Sequence, residues 1–195
     1  MKKAIVFIIA TILLFMFGGC TPSDEDAAPM EAELADGITI TLNENWREPT
    51  MDERIEYGLN SDNLGSFDGR NEVAYIHDST GEIIEYVSQS KSSIAGVTDD
   101  GFEMEEHSFN EDYDNNTVDG WDVYNKEEMK LGGFDFVRYE LLSDDGNTYS
   151  TLYYSEFDGI LHSLTIYAGS QDRLDEIMNT VESDFVYDED WRDNI

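Results

Sequence analysis

The residues whose types suit chemistry are few: His77, His107, His162, a single cysteine at position 20, and 44 Asp and Glu among 195 residues. Nucleophilic catalysis needs an activated Ser, Cys or Thr beside a base, and no G-x-S-x-G elbow is present to supply one. His107 follows Glu103, Glu105 and Glu106, yet no second histidine stands at ligand spacing, which speaks against a zinc-type site. His162 lies between Ile160 and Leu164 in a period-two stretch, so it is expected to face the interior as a satisfied core histidine. Calcium is the one metal question left. Asp112, Asp114, Asn116 and Asp119 form an oxygen-rich loop ending at Gly120, but an EF-hand wants Gly at its sixth place and Glu at its twelfth. Counted from Asp112, those places hold Thr117 and Val123, so only a looser oxygen cage is open. No Gly-rich phosphate loop follows a strand. The chain reads as a non-enzyme without a cofactor.

Cys20 carries a different chemistry. Lys2 and Lys3 lead an apolar run from Ala4 to Phe17, interrupted only by Thr11, and Gly18-Gly19 precede the cysteine. A basic start, a short apolar core and a small-residue exit make a secretory signal peptide over residues 1–19, and the core from Ala4 to Phe17 is too short to span a bilayer. With a cysteine directly at the exit, the segment resembles the lipobox of bacterial lipoproteins. That resemblance implies lipidation of Cys20, which becomes the mature N-terminus, and retention of the chain at the outer face of the cell membrane through its lipid. Residues 20–36, rich in acids and small residues and holding two prolines, read as a flexible tether; residues 37–195 read as one domain.

Charge narrows the partners. The formal charge is −33, and loss of residues 1–19 removes Lys2 and Lys3 to leave −35. Nucleic acid is excluded as a partner, because neutralising phosphates needs a basic surface. Adaptation to salt and the binding of cations both explain the acidity, and the even spread of the acids favours the first.

Any site must be positioned by the elements that follow. Phe134–Leu142, Thr148–Phe157 and Ile160–Ala168 are predicted strands joined by turn signals, including Asp158-Gly159, with a further strand over Trp121–Lys130 turning at Gly132-Gly133. Ser170 caps a predicted helix whose Leu174, Ile177, Met178 and Val181 form one apolar stripe, to be laid on that meander. Earlier strands are expected at Ile38–Leu42, Arg54–Leu59, Val73–His77 and Ile83–Ser88; residues 90–120 are left unassigned. The class is α+β: an antiparallel β-sheet meander with flanking helices. On the third meander strand, Tyr149, Thr151 and Tyr153 share the face opposite Leu152 and Tyr154. One of these faces packs on the helix, and the first set is assigned as a candidate recognition face.

The opening Gly37–Leu42 strand followed by Trp46, the Gly132-Gly133-Phe134 strand start, the aromatic meander and the closing helix with Ile177 and Val181 resemble PsbP-like domains over most of Gly37–Tyr187. The resemblance implies an antiparallel sheet flanked by helices, and roles in binding, stabilisation or assembly. It carries over no functional residues. The expected function is a non-enzymatic binding or assembly module for a protein or envelope component, held at the membrane through Cys20. The alternative is a small-ligand or calcium-binding lipoprotein.

Overall fold

The computed structural model describes residues 27–59, 70–90 and 111–191. Two antiparallel sheets and two helices organise them. The small sheet has the order β1-β2-β10, from β1 (Pro29–Ala35), β2 (Ile38–Asn43) and β10 (Val186–Tyr187). The large sheet runs β3-β4-β5-β9-β8-β7-β6, from β3 (Trp46–Arg47), β4 (Arg70–His77), β5 (Ile83–Ser90), β6 (Trp121–Leu131), β7 (Phe134–Ser143), β8 (Tyr149–Phe157) and β9 (Ile160–Ala168). The helices are α1 (Met51–Glu56) and α2 (Gln171–Asp184). A helical turn covers 111–114.

Period-two burial runs through the central strands. In β9 every second residue from Ile160 to Ala168 is buried, and in β2 Ile38, Ile40 and Leu42 are. In α2 the buried residues are Leu174, Ile177, Met178 and Val181, the stripe predicted from the sequence. Each such side chain contributes about 1.5–3 kcal/mol on burial. The helix packs on β8 and β9, as expected, and also on β2, so it closes the seam between the two sheets. Beside it, β1 lies across β4 and β5. One face of the large sheet is thus covered by α2 and the small sheet together, over a core that includes Ile40, Ile84, Leu164, Ile166 and Phe136. The other face carries two smaller clusters, around Ile76 and Ile83 and around Tyr139, Leu141 and Leu152.

Three expectations change. The tether does not reach Asp36: Pro29–Ala35 is a strand paired antiparallel with β2, and its Ala32 and Leu34 are fully buried. Met30, Ala32 and Leu34 alternate with Glu31 and Glu33, a strand pattern masked by the acidic composition. Asp36 and Gly37, both at positive φ, make the hairpin turn. Here glycine is required twice over, since a Cβ on Gly37 would lie 2.6 Å from the Trp191 ring. The expected strand at Arg54–Leu59 is instead the end of α1, through Glu56, and the turn that follows it. Thr50 accepts from the Glu53 backbone N–H while the Glu53 carboxylate accepts from the Thr50 backbone, a capping box that starts a helix. Finally, of the unassigned 90–120 segment, Ser90 ends β5, and the rest of the described part is the 111–114 turn and the run into β6.

Candidate interaction surface

His162 is where the sequence placed it, and it is locked. It is buried, its ring stacks on Phe157 at 3.9 Å, and the Tyr86 hydroxyl lies 2.6 Å from Nδ1. With Nε2 donating to the Phe157 carbonyl at 3.4 Å, Nδ1 is the acceptor and the ring is neutral. Burial pushes its pKa down to about 4. A fully enclosed imidazole with both nitrogens engaged has no route to a substrate. His77 is buried as well: Thr80 Oγ1 is 2.6 Å from its Nδ1, Glu82 lies 3.7 Å away, and Trp46 packs edge-on against the ring at 5.2 Å. His107 and Cys20 lie outside the described residues.

The face of β8 bearing Tyr149, Thr151 and Tyr153 is not a recognition surface. Thr151 and Tyr153 are fully buried and Tyr149 packs against the core. The Thr151 hydroxyl donates to Met178 Sδ in α2 at 3.1 Å, and the Tyr153 hydroxyl donates to Glu182 at 2.8 Å. Burial first, then the neighbouring Glu182 charge, raises the Tyr153 pKa. This face lies under the helix, with Thr151 against Met178. Leu152 and Tyr154 point to the far side.

The acidic loop spends its oxygens internally. Asp114 accepts from Lys126 at 2.6 Å and from the Tyr139 hydroxyl at 3.2 Å; the Lys126 hydrogen bond is the main cause of its lowered pKa. Asn116 Oδ1 accepts from the Val123 backbone at 2.6 Å, and Asp112 accepts from Thr117 Oγ1 at 3.2 Å. Asp119 is exposed. Among the described residues no three His, Cys, Asp or Glu side chains converge as a metal set, and no helix is long and apolar enough to cross a membrane.

What the sequence did not show is a pole where several elements meet. Glu44 N–H donates to the Ala28 carbonyl at 2.9 Å, so the N-terminal segment enters the domain beside the β2–β3 turn. From there, Arg47 in β3 reaches Glu53 of α1 through both terminal nitrogens, at 2.8 and 2.7 Å, and holds Asp78 of the β4–β5 turn through Nε. These contacts, Glu53 first, raise the Arg47 pKa, and the Arg47 bond holds Glu53 down to about 2. In the same turn Glu82 is buried. It accepts from Thr80 and from Arg173 Nε at 3.1 Å, tying the start of α2 to this end. A groove of about 170 Å³ opens between β2 and α2, lined by Leu42, Trp46, Arg173, Glu176, Ile177 and Thr180. Its cation is engaged, since Arg173 also holds Glu176 at 2.6 Å. The pole's exposed apolar residues lie on α1, which has no buried residue. The T-x-x-E box of Thr50 and Glu53 was the legible sign of that helix.

No protein-family model matches the chain. No curated protein sequence matches it either. Solved structures do. The solution structure of cyanobacterial PsbP (CyanoP) from Synechocystis sp. PCC 6803 aligns over 90% of this chain and 99% of its own, with 13% identity and a TM-score of 0.50. The Ran-binding protein Mog1p of Saccharomyces cerevisiae aligns over 79% of this chain and 84% of its own, with 10% identity and a TM-score of 0.40, too low to carry an argument. The fold is α+β and similar to that of PsbP; at such identity the likeness extends to the fold alone.

Proposed function

We propose that this chain is a lipoprotein anchored at the outer face of the cell membrane, whose domain binds a protein or another envelope component without catalysing a reaction. The observation that carries the reading is the Lys2–Cys20 segment: a basic start, an apolar core from Ala4 to Phe17 broken only by Thr11, and Gly-Gly ahead of the chain's single cysteine. Only eight residues then separate Cys20 from the first strand at Pro29. The non-enzymatic part is supported by the described histidines, both buried in hydrogen-bonded cages, and by carboxylates already committed to Arg47, Lys126 and Arg173. A domain rich in sheet, with an exposed pole beside its tether, suits recognition.

Metabolic labelling with radioactive palmitate in a bacterial host tests the anchor. The full chain is expected to take the label and sediment with membranes. Cys20→Ser is expected to lose the label. A chain that never takes label, or that still takes it after Cys20→Ser, contradicts the reading.

A further inference from the structure

Helix α1 is anomalous because it buries nothing. Among the described residues five large hydrophobic side chains are exposed, and three of them fall within seven consecutive positions: Met51 (52%), Ile55 (63%) and Tyr57 (42%). Met51 and Ile55 are four apart, on one face of the helix. Six residues are too few for a helix to be stable alone, and most helices in proteins are held by burying an apolar face. This one is held from behind, by the Thr50 capping box and by the two-pronged grip of Arg47 on Glu53. A polar framework therefore holds an apolar pair in water, an arrangement that suits a surface with an external partner.

The rim states the partner's charge. Glu48 just ahead of the helix, and Asp52 and Glu56 next in sequence to Met51 and Ile55, are exposed. The nearest cations are already occupied, Arg47 by Glu53 and Asp78, and Arg54 by Glu72 at 4.0 Å. An apolar centre inside a negative rim is complementary to a segment with apolar side chains flanked by Lys or Arg. The same field disfavours a second copy of a chain of charge −33 and an anionic lipid surface.

The tether states where that partner is. Ala28 bonds to Glu44, Asn45 bonds to Asp78, and Arg47 grips α1, so the N-terminal segment and α1 share one pole. Nine Cα steps from Cys20 to Pro29 span at most about 30 Å when fully extended. Resting on the anchoring reading above, we infer that α1 is a docking surface for a basic, apolar-anchored segment of a membrane protein, exposed on the extracytoplasmic side close to the bilayer.

The test uses the mature full chain in phosphatidylcholine nanodiscs, with carbon-13 methyl labels on Met and Ile. The probe is a ten-residue peptide of Lys and Leu, with one control in which Ser replaces Leu and another in which Glu replaces Lys. The expected result is a saturable shift of the Met51 and Ile55 methyls with the Lys–Leu peptide, while the core Met178 methyl stays in place. Neither control should produce it, and Met51→Ser combined with Ile55→Ser should weaken binding at least about tenfold. Equal binding of the Lys–Ser peptide, or a double variant that binds as tightly, overturns the proposal. Methyl shifts caused by the lipid alone, or by raising the protein concentration without peptide, overturn it in favour of a bilayer or a second copy. Palmitate labelling reports on the anchor separately. A labelled chain that ignores the peptide overturns the docking surface and leaves the anchor. A chain that binds the peptide but takes no label supports the surface and overturns its placement at the membrane.

Discussion

The two helices α1 and α2, among the described residues, begin alike and end differently. Each opens on a hydroxyl N-cap, Thr50 in α1 and Ser170 in α2, with acids in the first turn. From there α2 runs fourteen residues and lays Leu174, Ile177, Met178 and Val181 into the seam between the sheets, whereas α1 runs six and buries no side chain. The contrast teaches that apolar residues on a capped helix do not by themselves mean core. α2 finds its partner within the chain; α1 presents Met51 and Ile55 to something outside it.

The sharpest way to break the contrast is to treat α2 as if it were α1. Leu174→Ala removes a fully buried side chain, and a loss of about 2–5 kcal/mol is expected in chemical denaturation. The same core predicts an acid limb. His162 has its pKa depressed from 6.5 to about 4, so between these values the unfolded chain binds a proton that the folded chain refuses. The His162 contribution to stability is therefore full above pH 6.5 and is lost as pH drops toward 4, by about 3 kcal/mol in all. A His162→Phe variant should be less stable at neutral pH and lack that slope between pH 6.5 and 4, measured by urea titration at each pH.

On the α1 side smaller effects are expected. Thr50→Ala removes the cap and should cost about 1 kcal/mol or less, seen as faster amide exchange in 51–57 while the α2 amides stay protected. Calcium at millimolar concentration is expected to leave the melting temperature unchanged in a high-salt buffer, since Asp112 and Asp114 accept hydrogen bonds from Thr117 and Lys126. A saturable rise would instead favour the cation-binding alternative.

Sequence reached the fold through its repeated local signals. The Asp158-Gly159 turn, the alternation in β9 and the α2 stripe all agreed with one another, and the α+β class followed. An identical Asp-Gly pair at 36–37 gives no hairpin signal through the acids and proline around it, which resemble a tether; the burial of Ala32 and Leu34 makes their alternation with Glu31 and Glu33 a strand. The β8 faces show a deeper limit. Alternation separates Tyr149, Thr151 and Tyr153 from Leu152 and Tyr154, but which set lies under α2 depends on how the helix crosses the sheet. That is a tertiary fact. For the candidate surface, the capping box was legible, while the exposure of Met51 and Ile55 was not, because exposure is set by what fails to pack on them.

The account turns on whether that exposed pair serves stability or recognition, and the melting temperature of the Met51→Ser, Ile55→Ser chain, taken with and without the Lys–Leu peptide, decides it. Without peptide, the variant should melt with the parent, within about 0.5 kcal/mol. With peptide, the parent should gain stability and the variant should not. A variant that melts early by as much as Leu174→Ala, or that is stabilised by the peptide as well as the parent is, contradicts the account.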